Sequence, residues 1–138
     1  MGLHMIMTGR CYCGEVRYEL SADPLFRAQC HCREGQYFTG GHPHVGMAFP
    51  KAAFRYTQGE ARTFTRSDIP NAVTREFCPE CGTQLLGRTP PLPDVVLIQP
   101  GTLDDPSLFG LPQIAVFTRE KQSFHHVPND IPCFEGIP

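Results

Sequence analysis

The seven cysteines of this 138-residue chain fall into three tight groups and one outlier. Cys11 and Cys13 form C-Y-C-G, Cys30 and Cys32 open C-H-C-R-E-G, Cys78 and Cys81 form C-P-E-C-G, and Cys133 stands alone near the end. Close pairs set far apart in sequence are how a small domain builds tetrahedral thiolate sites for zinc. An odd total gathered into such pairs fits a disulfide framework poorly. The glycine that closes the first and third groups permits a tight turn that aims backbone N–H groups at the sulfurs. In extended chain, residues i and i+2 project to one side, so Cys11 and Cys13 can share an ion. Together with Cys78 and Cys81 they are expected to form a closed four-thiolate zinc site tying an early strand to a central turn. A redox C-x-x-C would need a βαβ context, which the sequence lacks.

The length suits one domain, read as residues 1–138 with a core over about 8–124 and a tail over 125–138. The 14 prolines and 13 glycines call for many turns and short strands. With 12 Lys+Arg against 14 Asp+Glu, the net charge of -2 offers no basic footprint for nucleic acid. No apolar run approaches the roughly 20 residues of a membrane helix. Met1 to Met7 is too short for a signal peptide, and Ile6 stands where a myristoylation signal needs Ser or Thr. The expectation is a cytoplasmic protein with reduced thiols.

Periodicity is mostly two. Val16, Tyr18 and Leu20 alternate with Arg17 and Glu19, the signature of a half-buried strand within Gly14 to Leu20. Phe54 to Thr57, Ala61 to Arg66, Val73 to Phe77, Gln84 to Gly87, Val95 to Gln99 and Ile114 to Phe117 also read as short strands, with Gly59 turning between the first two. Helix signals are sparse: one turn over Arg33 to Phe38, and one over Asp105 to Phe109, where Asp105 can cap and Pro106 can start. The tail from Phe124 is expected over the surface. The fold class predicted is all-β, with metal knuckles at strand ends.

The motifs in this order resemble the glutathione-dependent formaldehyde-activating enzyme family, which includes centromere protein V-like proteins. G-R-C-Y-C-G-E-V-R-Y-E at 9–19, C-H-C-R-E-G-Q at 30–36 followed by Gly40-Gly41, F-C-P-E-C-G-T-Q-L at 77–85 and P-C-F-E-G at 132–136 carry the resemblance over nearly the whole chain. It implies an Mss4-like zinc-bound β fold of short twisted antiparallel sheets. It also implies a structural zinc on the first and third motifs, and a labile or catalytic zinc on the middle motif, C-x-C-x-x-C. The implied activity is carbon–sulfur bond formation and cleavage, with glutathione and formaldehyde in equilibrium with S-hydroxymethylglutathione. The implied partner is thus a small-molecule thiol or thiol–aldehyde adduct. The rival reading is a non-catalytic zinc-stabilised β domain that binds a small molecule or a protein.

The chain departs from that pattern at Gly35, where the third thiolate belongs. Cys30 and Cys32 remain as the candidate catalytic and metal-binding pair. Two thiolates bind an ion less firmly than three, so the second zinc is expected to be weak or absent and the activity impaired. His31, between the two cysteines, should point away from their shared side. Glu34 is a hard ligand beside soft sulfurs. His42, His44, His125 and His126 are the other candidates to complete the site, and Arg33, Arg88 and Arg119 are candidate clamps for a carboxylated thiol. Cys133 is read as a plain thiol.

Overall fold

A computed structural model describes residues 6–138. The myristoylation reading at Met1-Gly2, and most of the signal-peptide reading, lie outside the described residues. The described chain is mostly β. Its strands are β1 Met7–Arg10, β2 Arg17–Leu20, β3 Phe26–Cys30, β4 His44–Pro50, β5 Phe54–Gln58, β6 Arg62–Phe64, β7 Thr74–Phe77, β8 Gln84–Arg88, β9 Val95–Ile98 and β10 Ile114–Val116. One α-helix, α1, spans Arg33–Thr39. A three-stranded sheet runs β1-β2-β5, and a seven-stranded sheet runs β10-β3-β4-β9-β8-β7-β6. All pairings are antiparallel except β10 on β3.

The alternation in β2 does what its period predicts: Tyr18 and Leu20 face the core while Arg17 is exposed. They pack with Val16, Met47, Phe49, Leu85, Leu86, Val96 and Ile98, all essentially inaccessible, between the two sheets. Burying such side chains contributes roughly 1.5–3 kcal/mol each. The Tyr18 hydroxyl reaches Thr102 Oγ1 at 2.7 Å, which satisfies a phenol that burial would otherwise penalise. Gly59 turns with φ +74°, but it does not close a hairpin: β5 pairs with β2 and β6 with β7, so the chain changes sheets there.

Three strands, β1, β3 and β4, are absent from the periodicity reading. The β4 segment H-V-G-M-A-F-P is buried continuously from Gly46 to Phe49, so it carries no alternation to read. The capped turn after Asp105 forms as expected, with Asp105 Oδ1 accepting from Ser107 N at 3.1 Å. The tail does more than lie over the surface. Ala115 N donates to the Pro132 carbonyl at 3.0 Å and Phe134 N to the Ala115 carbonyl at 2.9 Å, which extends the β10 edge. No helix among the described residues is long and apolar enough to cross a membrane.

Candidate metal centre and thiol cavity

The first and third cysteine motifs are two copies of one local device. Cys11 N donates to the Val16 carbonyl and Cys78 N to the Thr83 carbonyl, each at 3.0 Å and five residues on. Gly14 at φ +82° and Gly82 at φ +77° close the two loops in the left-handed region that glycine tolerates. The loops face each other across a Tyr12 N to Thr83 Oγ1 hydrogen bond of 3.0 Å. The sulfurs of Cys11, Cys13, Cys78 and Cys81 then all lie within 4.8 Å of one another. The Cys11–Cys13 and Cys13–Cys78 separations are 3.6 and 3.8 Å. A tetrahedron of ~2.3 Å zinc–sulfur bonds has edges of about 3.8 Å, so the donor set and its spacing fit such an ion. Val16 N points at Cys11 Sγ at 3.3 Å, and Glu80 N and Cys81 N point at Cys78 Sγ at 3.4 and 3.5 Å. Cys81 is brought down to about 6 by hydrogen bonds from the Thr83 hydroxyl and backbone, which favours the ligating thiolate. The cluster can hold a metal ion.

Cys30 ends β3 and Cys32 is the N-cap of α1. The Cys30 thiol donates to Cys32 Sγ at 2.9 Å, and Gly35 N donates to the same sulfur at 3.3 Å. Those two hydrogen bonds, in that order, with help from the Arg75 charge, outweigh burial and lower Cys32 to about 7. Cys30 is raised by the same hydrogen bond and by burial. Within the pair, Cys32 is the sulfur that gives up its proton more readily and Cys30 the one that keeps it.

Both sulfurs open onto a cavity of about 620 Å³. Its walls come from the face of the seven-stranded sheet opposite the core and from the tail: Phe26, Ala28, Leu97, Ile114, Val116 and Ile137 among them. Arg75, Glu34, Glu120 and His44 supply the charged and polar groups. Arg75 Nη2 lies 3.8 Å from Glu34 Oε1, and its guanidinium sits 4.3 Å from the Phe38 ring centroid.

The candidate third ligands separate cleanly. His31 is fully buried and turned away from the sulfurs, with Nδ1 2.9 Å from His125 Nδ1. His125 Nε2 lies 2.7 Å from the Gly41 carbonyl and must donate to it, while its Nδ1 accepts from Gln122 N, so His31 Nδ1 carries the proton of the pair. His31 Nε2 is left buried without a partner. His125 is thus a buried anchor for the tail rather than a surface residue. His42 and His126 are exposed, and His42 packs edge-on to Phe124. Of the four candidate histidines, only His44 lines the cavity. A Cβ built on Gly35 would lie 2.9 Å from His44 Cβ and 3.1 Å from Cys32 Sγ. His44 therefore fills the space a larger residue at 35 would need. Its Nε2 is taken by the Gln99 amide N–H at 2.7 Å. Among the described residues, the Cys11–Cys13–Cys78–Cys81 group is the one place where three or more donor atoms lie mutually within 4.8 Å, so Cys30 and Cys32 have no third donor of that kind. The donors present do not fit a three-ligand metal site.

None of the anticipated clamps lines the cavity: Arg88 pairs with Glu76 at 2.6 Å, Arg33 bonds Gln36 Oε1, and Arg119 stacks on Phe117. The cavity's cation is Arg75, which the sequence reading missed because it sits in a strand with no motif. Its signal was position alone, in a strand immediately before the third motif.

Burial, with the Arg75 charge behind it, lowers His44 from 6.5 to about 4. The unfolded chain takes up the proton first as pH falls, so this contribution to stability is complete above about pH 6.5 and is lost progressively toward pH 4. His44→Gln should flatten that part of the profile. The check is the difference in denaturation midpoint between wild type and variant at pH 7 and pH 4.5; a constant difference would refute it.

The model of a protein family described as glutathione-dependent formaldehyde-activating enzyme matches residues 6–120. A crystal structure of a Rhodobacter sphaeroides protein superposes with a TM-score of 0.61 at 18% identity, covering 77% of this chain and 97% of that one. That likeness is one of fold. No curated protein matches the chain.

Proposed function

Because the chain belongs to the glutathione-dependent formaldehyde-activating enzyme family, we propose that it makes and breaks a bond between a thiol sulfur and an aldehyde carbon at the Cys30–Cys32 end of the cavity. This is carbon–sulfur lyase chemistry. The carrying observation is the Cys32 sulfur, which accepts hydrogen bonds from Cys30 Sγ and Gly35 N while opening onto the cavity.

The step needs no redox partner. The substrate thiol loses its proton, its sulfur adds to the carbonyl carbon, the C=O π pair moves to oxygen, and that oxygen takes up a proton to leave a hydroxyalkyl thioether. Cleavage is the reverse. Cys32 is suited to take the thiol proton, since a base poised near the working pH is the effective one. Arg75 is the cation available to a developing alkoxide in a water-poor site. The four-thiolate cluster is read as a structural zinc centre, which supplies folding energy and no chemistry. No step is assigned to a metal at Cys30 and Cys32. The seven unpaired cysteines suit a reducing compartment, and the cytoplasm is the one this reading assigns.

Cys32→Ser should slow exchange between formaldehyde and its thiol adduct by about 100-fold or more, a usual cost of losing a general base. Two-dimensional ¹³C exchange NMR reads that rate directly, and Cys133→Ser serves as the control because Cys133 is exposed and is not among the residues that line the cavity. An undiminished rate in Cys32→Ser would sink the assignment. A second reading, a binding domain without turnover, is favoured by the missing third ligand; it predicts no exchange above background in wild type.

A further inference from the structure

We propose that the bulky partner of this chemistry is an apolar thiol, of alkyl or aryl class, rather than a zwitterionic peptide thiol. The proposal rests on the thiol–aldehyde reading above for its chemistry, and on the cavity for its selectivity.

A peptide thiol with two carboxylates, an ammonium and two amides would bring several charged and hydrogen-bonding groups into whatever site receives it. Each group taken from water without a partner is penalised, and charged ones most. The cavity has few partners to offer. Its one cation among the described residues is Arg75, partly offset by Glu34 at 3.8 Å and resting on the Phe38 ring, which leaves a single positive charge to meet a ligand with two carboxylates. Glu34 and Glu120 add two carboxylates to the lining, which repel rather than clamp acidic groups. The three arginines that might have clamped carboxylates are occupied elsewhere.

The walls suit the opposite kind of ligand. β9 sends Val96 and Ile98 into the core and Leu97 into the cavity, so the pleat itself presents an apolar face there. Ala28 and Phe26 do the same from β3, and Ile114 and Val116 from β10. Phe117, which also lines the cavity, is held at φ +54° and ψ +38°, a left-handed conformation that bulky side chains seldom adopt. A cavity of about 620 Å³ falls within the roughly 300–1,000 Å³ of small-molecule sites, which are mostly apolar with a few placed polar groups. Here the placed groups are Cys30 and Cys32 at one end.

Gly46 gives a way to fill the cavity without disturbing its frame. It lines the cavity, its φ is ordinary, and a Cβ built there meets only His44 Cε1 at 3.9 Å. Leu97→Gln is the second variant, because it polarises the wall and leaves the core face of β9 intact.

Isothermal titration calorimetry of the intact chain with benzyl mercaptan and with reduced glutathione tests the proposal. Benzyl mercaptan should bind once per chain and at least about tenfold more tightly than glutathione, with a negative heat-capacity change. Gly46→Leu and Leu97→Gln should each weaken benzyl mercaptan by about tenfold, the scale of one displaced or mispaired apolar contact. Glutathione binding as tight as benzyl mercaptan overturns the proposal. So does unchanged benzyl mercaptan affinity in Leu97→Gln, which reports even where Gly46→Leu fails to fold. The exchange assay with formaldehyde separates this from the reading it rests on. If neither thiol is turned over while the calorimetric preference holds, the lyase reading falls and the apolar selectivity stands. If glutathione is exchanged at least as fast as benzyl mercaptan, the lyase reading stands and the apolar selectivity falls.

Discussion

Cys78→Ser is expected to release one tightly held zinc ion per chain and to unfold the protein. The cluster joins the β1–β2 turn to the β7–β8 turn, and so connects the three-stranded sheet to the seven-stranded one. Its four sulfurs lie within 4.8 Å of one another, two of the separations are the 3.6 and 3.8 Å of a zinc tetrahedron, and N–H groups are already aimed at Cys11 and Cys78. Cys11 and Cys78 are themselves part of the core, at 1% and 0% exposure, beside Val16 and Leu85. Structural zinc in finger peptides contributes about 10–16 kcal/mol, and the whole stability of a small domain is about 5–15 kcal/mol. Removing one ligand of four therefore threatens the fold as a whole, because a neutral serine hydroxyl does not replace a thiolate as a zinc ligand. Metal analysis on the purified chain should find about one zinc in wild type and none in the variant, and the far-ultraviolet spectrum of the variant should lose its β signature. A Cys78→Ser chain that keeps its melting temperature would mean that packing alone carries the fold and that the cluster is four buried thiols.

That cluster was legible because its determinants are local. C-x-C-G and C-x-x-C-G each specify their own turn, and the pairing of the two loops follows once both turns exist. The alternating strands were legible for the same reason: β2 writes its burial into every second residue. What escaped was non-local. β4 lies in the middle of the large sheet between β3 and β9, so its residues are chosen by neighbours on both faces and show no period. Arg75 has no motif around it, and its place beside Cys32 depends on β7 folding back under α1. His125 reads as a surface histidine in a proline-rich tail, yet its partners are His31, Gly41 and Gln122, two of them more than eighty residues away. Gly35 was visible as a missing ligand. The side chain that takes up the vacated space comes from β4 and could be found only by building the Cβ.

That last contact makes reversion at position 35 a two-residue problem. Gly35→Cys alone should destabilise the chain by about 1–3 kcal/mol, the usual range for overpacking a tight site. The conflict is with His44 Cβ at 2.9 Å, an atom fixed to the β4 backbone and unable to swing aside. Alanine at 44 keeps that atom and should not help; glycine removes it. In Gly35→Cys/His44→Gly, the new Cβ loses both His44 contacts and keeps the one to Cys32 Sγ at 3.1 Å, which sets the new thiol next to the existing pair. Three thiolates with an open position then replace two, which is the ligand count of an open zinc site. The double variant should carry about two zinc ions per chain where wild type carries about one, and saturating zinc should raise its stability: an ion present at a thousandfold its Kd contributes about 4 kcal/mol. The single variant should gain neither. Metal content and thermal unfolding, each measured with and without added zinc, distinguish the three chains. If Gly35→Cys alone binds a second ion firmly, β4 yields more readily than its sheet pairing implies and His44 is no obstacle. If the double variant folds with one zinc, Cys30 and Cys32 belong to a metal-free thiol site, and the proton chemistry assigned to Cys32 is the whole of what this pair contributes.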